Sequence, residues 1–238
     1  QRIATLWDWV DDEYDMEGLK NPATGWTARK FKKALKGVTK GRQPAVSVDD
    51  APRWFAALRT MDGLGSKAME FLALTAARSG EVRGATWSEV AFNRRVWAIP
   101  AARMKMERDH EVPLSPEALA LLESIPRLSD YIFPASHGGP FSDGVFGRNG
   151  VMGRLHQYDL DTGGSGFVDK DSGKPAVPHG LRATFRVWAG QEGFPREDSE
   201  LALAHKIGNS VEQSYARDAF TERRRPMMDA WAGFLHGV

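Results

Sequence analysis

The sequence contains no cysteine among its 238 residues and no apolar run near the roughly 18 residues that a membrane-spanning helix needs. The lack of cysteine excludes a disulfide framework, thiolate-bound zinc and a cysteine nucleophile. The chain also lacks GxxxxGK[ST], GxGxxG and HExxH, which are the usual motifs for nucleotides and catalytic zinc, and its six histidines have no metal-ligand spacing. We therefore expect no cofactor, no metal ion and no membrane partner.

Acidic residues are missing between Glu17 and Asp49, although the formal net charge of the whole chain is only +1. Basic residues are frequent in this stretch, which could be a solvated linker or a strap that neutralises DNA phosphates. Because the position of charges matters more than their sum for nucleic-acid binding, we predict a DNA-binding linker. Its members are Arg29, Lys30, Lys32, Lys33, Lys36, Lys40 and Arg42.

Hydrophobic residues make up 42% of the chain, with eight Trp and twelve Phe, which is enough for a substantial core. Helical patterns predominate, and three short β-rich runs between residues 87 and 115 predict one small antiparallel sheet. This combination predicts an α+β fold that is mainly helical. The predicted helices cover about 48–59, 66–77, 116–125, 142–157, 179–192, 196–205, 211–217 and 221–235, and 159–178 is predicted to be a turn-rich loop.

Six polar residues stand out in order along the chain: Arg78, Lys105, His179, Arg182, His205 and Tyr215. Each has an ordinary structural explanation when it is considered alone. Arg78 could pair with Glu81 on one helical turn, Lys105 could be a solvated hairpin residue, and His179 could cap a helix. Tyr215, one of only four tyrosines, could be an amphipathic packing residue.

The local sequences around these residues are more informative than any one of them. Arg78 lies in AARSGEV, and Lys105 lies in a predicted hairpin. His179 and Arg182 lie in HGLRATF. His205 lies in LAHK, ten residues before Tyr215. In this order, residues 45–238 resemble the tyrosine recombinases, also called the phage integrase family. The text is most similar to integrases of prophages and genomic islands.

The resemblance implies a domain organisation and a set of partners. Residues 1–43 are expected to be the C-terminal end of a helical core-binding domain plus the basic linker, and residues 44–238 the catalytic domain with its three-stranded antiparallel sheet. Because the sequence does not begin with Met, we expect a fragment of a longer protein. The expected partners are double-stranded DNA attachment sites, three further copies in a DNA-bound homotetramer, and an excisionase or DNA-bending accessory protein. The expected location is the bacterial cytoplasm, at the nucleoid.

The resemblance also implies roles for the six residues. Arg78 and Arg182 would clamp the phosphate, because a guanidinium offers a planar fork of donors to two oxygens. Lys105 would protonate the leaving 5′-oxygen. Tyr215 would attack phosphorus and become a 3′-phosphotyrosine, with His179 as its base or hydrogen-bonding partner, and His205 would donate to a phosphate oxygen.

Two other functions are compatible with the same residues. A type IB topoisomerase uses nearly the same chemistry to nick and close DNA without strand exchange. A DNA-binding remnant of an integrase would bind DNA without cutting it, although the presence of all six residues argues against such decay. The sequence near Tyr215 favours the integrase.

Overall fold

The computed structural model describes residues 42–105, 107–205 and 217–238. The described residues, from Arg42 onward, belong to one compact unit. The helices are α1 (Ala51–Arg59), α2 (Leu64–Thr75), α3 (Ser79–Arg83), α4 (Pro116–Glu123), α5 (Val151–Asp161), α6 (Gly180–Gln191), α7 (Arg196–Ala202) and α8 (Arg217–His236). The predicted α+β class, mainly helical, is confirmed.

One antiparallel sheet contains the three predicted strands in sequence order, β1 (Val90–Ala91), β2 (Val96–Ile99) and β3 (His110–Pro113). In its register, Val90 lies opposite Trp97, and Trp97 opposite Val112. Trp97 is fully buried, so this face of the sheet covers the core. The connection from β2 to β3 includes a short 3₁₀ helix, Ala101–Arg103, directly before Lys105.

Helix boundaries follow local chemistry. Helix α4 begins as predicted, since the hydroxyl of Ser115 accepts a hydrogen bond of 3.2 Å from the Ala118 N–H and Pro116 occupies the first turn. The single helix predicted over 142–157 is wrong. A 3₁₀ helix, Asp143–Phe146, comes first, and α5 starts only at Val151 because glycines interrupt the segment between them.

The last helix, α8, supplies much of the aromatic core. Trp231 packs against Trp188 of α6 in a tilted arrangement with 4.9 Å between ring centroids, and its indole N–H donates to the Ala73 carbonyl at 2.8 Å. Met227 and Met228 are also buried. The apolar face of this helix therefore packs on its own domain.

The turn-rich segment 159–178 is hydrogen-bonded to the chain near Pro44 and Ala45. The Asp169 carboxylate accepts a 3.0 Å hydrogen bond from the Ala45 N–H, and the Val177 N–H donates to the Pro44 carbonyl at 3.1 Å. Hydrogen bonds from the Ala45 backbone and from Ser172 lower the pKa of Asp169 to about 2, despite an opposing effect of burial. The Pro44 carbonyl also approaches Gly180 so closely that a Cβ atom could not fit there.

No helix among the described segments is both long and apolar enough to cross a membrane. The same segments contain no cluster of three or more histidine, aspartate or glutamate side chains that could bind a metal ion. The expected boundary between residues 43 and 44 remains a prediction, because residues 1–41 lie outside the described part of the chain.

Candidate active site

Two arginines from distant parts of the chain meet at one backbone carbonyl. Arg182 Nη2 donates to the Leu203 carbonyl oxygen at 2.5 Å, and Arg78 Nη2 donates to the same oxygen at 3.4 Å. Arg182 Nη1 also donates to the Ala76 carbonyl at 2.7 Å. Arg182 is only 5% exposed, so these carbonyls hold its guanidinium in one orientation.

The Leu203 carbonyl is available to the arginines because α7 ends there in a Schellman turn. The His205 N–H donates to the Glu200 carbonyl at 2.9 Å, and the Ala204 N–H donates to the Leu201 carbonyl at 3.0 Å. Ala204 has a φ of 51°, in the left-handed region where glycine is usual. The turn therefore directs a helix-end carbonyl at both guanidiniums and places His205 beside them.

A buried carboxylate fixes Arg78. The Glu81 side chain accepts a hydrogen bond from Arg78 Nη1 and another from the Arg78 backbone N–H, both at 2.8 Å. The ion pair that an ordinary helical turn would give is thus present, and it also orients the guanidinium toward Leu203. Glu81 is 5% exposed, so its contribution is positional.

The two guanidiniums repel each other in a partly dry environment. Burial, followed by the charge of Arg78, lowers the pKa of Arg182 from 12.5 to about 10. At neutral pH the side chain therefore remains a cation. A concentrated positive charge with fixed N–H donors is suited to an anion such as a phosphate.

His179 lies at the N-terminal end of α6, beside the arginines. Loss of solvent around its ring lowers its pKa, and the charges of nearby cations lower it further. These cations are Arg182, Arg78, Lys105 and His205, in decreasing order of effect. The other four described residues of the predicted set therefore lie within electrostatic range of His179.

Lys105 is an exposed cation of the β2–β3 connection. The preceding Met104 is buried, which anchors this turn. Arg103, two residues before Lys105, is bound to the Glu89 carboxylate and to the Glu81 carbonyl. Arg103 is therefore engaged in the fold, whereas Lys105 is exposed to solvent.

Sequence reasoning missed two residues next to the site. Glu200 Oε2 lies 2.5 Å from His205 Nδ1, an approach that becomes visible only when α7 is known to end at Ala202. His110, on β3, lies under the arginines. Burial and the nearby charge of Arg224 lower the pKa of His110 from 6.5 to about 3, and a hydrogen bond to the backbone of Ala202 offsets this only in part.

Two predicted groups lie wholly or mostly outside the described residues. Tyr215 is one of them, and the other comprises the linker residues Arg29, Lys30, Lys32, Lys33, Lys36 and Lys40. The remaining linker residue, Arg42, is described. Its Nη1 lies 2.8 Å from an Asp171 oxygen and its Nη2 lies 3.9 Å from Asp169, so the 159–178 segment engages this cation.

Comparison with solved structures shows the same fold. The chain superimposes on a lambda integrase dimer bound to a core site with a TM-score of 0.52 and 18% identity, over 86% of this chain and 69% of that one. An integrase from mycobacterium phage Brujita gives a TM-score of 0.56 and 17% identity, over 95% and 68%.

Sequence comparison gives the family. Prophage integrase IntA of Escherichia coli K12 is 37% identical over 85% of this chain and 47% of its own length, and the integrase of Shigella phage Sf6 is 30% identical over 85% and 50%. The chain thus spans about half the length of these curated relatives. The phage integrase family pattern matches residues 46–222. The chain belongs to the phage integrase family of tyrosine recombinases.

Proposed function

We propose that the protein is a site-specific DNA recombinase that cleaves and rejoins strands through a 3′-phosphotyrosine at Tyr215, without metal or ATP. It would integrate or excise a prophage or genomic island. The single observation that carries this proposal is the meeting of Arg78 and Arg182 at the Leu203 carbonyl, with Lys105, His179 and His205 in electrostatic range. The family relationship of residues 46–222 supports it.

The arginines would stabilise charge on the non-bridging oxygens as phosphorus becomes pentacovalent. Their contacts to backbone carbonyls and to Glu81 fix both guanidiniums within the fold, so little reorganisation would be needed when the phosphate binds. Donors that are fixed before the reaction contribute most to the stabilisation of a transition state.

Two proton movements accompany the cleavage step. The phenolic oxygen of Tyr215 forms a bond to phosphorus while its proton passes to neutral His179, whose lowered pKa keeps the ring able to accept it. The bond to the 5′-oxygen breaks, and that oxygen takes a proton from the Lys105 ammonium. Attack of a 5′-hydroxyl on the phosphotyrosine then reseals DNA and restores the tyrosine.

The proposed partners are double-stranded attachment sites and other copies of the protein. Solved neighbours include a lambda integrase tetramer bound to a Holliday junction, with a TM-score of 0.52. A homotetramer on DNA, with an excisionase or a DNA-bending protein at some sites, would act at the bacterial nucleoid. The curated relatives are named as integrases, which does not favour a topoisomerase or a non-cleaving remnant.

A nicked suicide substrate tests the proposal. DNA made from the direct repeats that flank the integrase gene should trap a covalent adduct on denaturing gels. Tyr215→Phe should abolish the adduct, whereas Tyr158→Phe, which changes an exposed tyrosine on α5, should not. Tight binding by the wild-type protein without any adduct would support the remnant. Relaxation of supercoiled DNA without exchange between two sites would support the topoisomerase.

A further inference from the structure

Glu200 is a charged residue whose contacts the six-residue site does not explain. It lies on α7, is 15% exposed, and its two carboxylate oxygens approach different cations. Oε2 lies 2.5 Å from His205 Nδ1, and Oε1 lies 2.6 Å from Arg186 Nη2 on α6. Burial tends to raise the pKa of Glu200, but the hydrogen bond from His205 and the charge of Arg186 outweigh it and lower the pKa. The side chain is therefore a carboxylate at neutral pH.

The other ring nitrogen of His205 faces the arginine pair. Nε2 lies 3.4 Å from Arg182 Nη2. A guanidinium can only donate and a carboxylate can only accept, so these two contacts are both satisfied when Nδ1 carries the proton and Nε2 presents its lone pair. One tautomer and one ring orientation are selected, with Nε2 directed to the place where the arginines would bind a phosphate.

We propose that Glu200 is a positioning residue that holds His205 Nε2 toward the scissile phosphate and stabilises the imidazolium that donates to a phosphate oxygen. This inference rests on the proposed strand-cleavage function. Arg186 would in turn hold Glu200, since it contacts the carboxylate oxygen that His205 does not use. Partners of this kind, one step behind the reacting group, fix the tautomer and the orientation of a histidine.

The surrounding charges explain why a carboxylate is needed here. The groups that face His205 or its partner are Arg182 and His179 at the start of α6, Arg78 before α3, Arg186 on α6, and Arg196 on α7, 4.0 Å from Glu200. All are cations or can become cations, so Glu200 lies among basic side chains. Glu200 is the acid in direct contact with the ring.

The tautomer of His205 can be measured without DNA or catalysis. In ¹⁵N-histidine-labelled protein, with the resonances assigned by their loss in His205→Gln, the neutral ring should carry its proton on Nδ1. Glu200→Ala should move the proton toward Nε2. A wild-type ring protonated on Nε2, or a tautomer unchanged in Glu200→Ala, would overturn the proposal.

Cleavage kinetics supply the second readout. Single-turnover cleavage of the suicide substrate should be at least about tenfold slower in Glu200→Ala than in the wild type. The slowing should not exceed the ~10²–10³-fold effect of removing a complete transition-state donor. Glu197→Ala, which removes an exposed acid from the same helix, is the matched control and should cleave like the wild type.

A double variant separates positioning from general destabilisation. If Glu200 acts through His205, then Glu200→Ala should add little to the loss already caused by His205→Gln. Full additivity of the two losses would contradict the proposal. If the wild-type protein forms no covalent adduct with DNA, the proposed strand-cleavage function is wrong. The tautomer measurement would still show whether Glu200 positions His205.

Discussion

The arginine pair and the exposed groups around it are held very differently. Arg182 is 5% exposed and contacts two carbonyls, whereas Lys105 is exposed and pairs with no carboxylate within the described ranges. His205 lies between these extremes, with a 42% exposed side chain that is fixed on one side by Glu200. The fixed positive charge that we propose for phosphate binding is thus part of the fold, whereas the groups proposed to transfer protons are exposed to solvent.

Removal of the most deeply held group should have the largest effect. Arg182→Ala should slow cleavage on the order of 10³-fold, because both a charge and a fork of donors are lost. It should also lower the free energy of unfolding by about 2–4 kcal/mol, since the carbonyls of Ala76 and Leu203 lose their donors. Single-turnover cleavage and urea unfolding would measure the two effects, with Arg59→Ala at an exposed position as control.

Equal stability of Arg182→Ala and the wild type would mean that the buried arginine does not contribute to the stability of the fold. Arg182→Lys is a second variant for the same cleavage measurement. It retains a cation but cannot span both carbonyls, and so it should remain well below wild-type activity.

Lys105→Ala should slow cleavage by about 10² or more through loss of the general acid, with no change in unfolding free energy. A substrate with sulfur in place of the bridging 5′-oxygen should restore the rate, because a thiol pKa is about 8.5 and a thiolate leaves without a proton. Lys174→Ala, at another exposed lysine, is the matched control. Failure of the sulfur substrate to rescue Lys105→Ala would assign the lysine to binding.

His110 on β3 lies within electrostatic range of Arg182 and Arg78. Its pKa is lowered from 6.5 to about 3, so the unfolded state binds the proton first as pH falls. Stability should therefore be full above pH 6.5 and decline by up to about 1.4 kcal/mol per pH unit below it. Urea unfolding of the wild type and of His110→Gln between pH 6.5 and 4.5 checks this. Parallel pH dependences would contradict a buried neutral His110.

Ala204 offers the smallest effect. Ala204→Gly should stabilise the protein by up to about 1 kcal/mol, because glycine adopts a positive φ without strain, although the unfolded chain gains entropy. Ala204→Val should destabilise it. Thermal unfolding of both variants would show whether the turn that presents the Leu203 carbonyl is strained, and a stabilising valine would contradict this account.

The sequence predicts much of the architecture because its signals are local. Three short β-rich runs and the Ser115-Pro116 helix start are formed by neighbouring residues, and all appear in the structure. The glycines near residue 150 divide a segment that was predicted as one helix. Several glycines destabilise a helix more than the weak apolar periodicity of this segment stabilises it.

The residues of the candidate site could be predicted from the sequence, but the contacts that hold them in place could not. Arg78 and Arg182 could be identified from their motifs, but their common acceptor is a backbone carbonyl that no side-chain pattern reveals. Glu200 reaches His205 only because α7 ends in a left-handed turn at an alanine. The 159–178 segment has no periodic pattern, and its clamp on Ala45 depends on a long-range backbone contact.

Identification of the residue that becomes linked to DNA tests the central claim most directly. After cleavage of the suicide substrate, proteolysis and mass spectrometry should locate a 3′-phosphodeoxynucleotide on the peptide that contains Tyr215. Attachment to any of the other three tyrosines, Tyr14, Tyr131 or Tyr158, or to a residue of another type, would contradict the account.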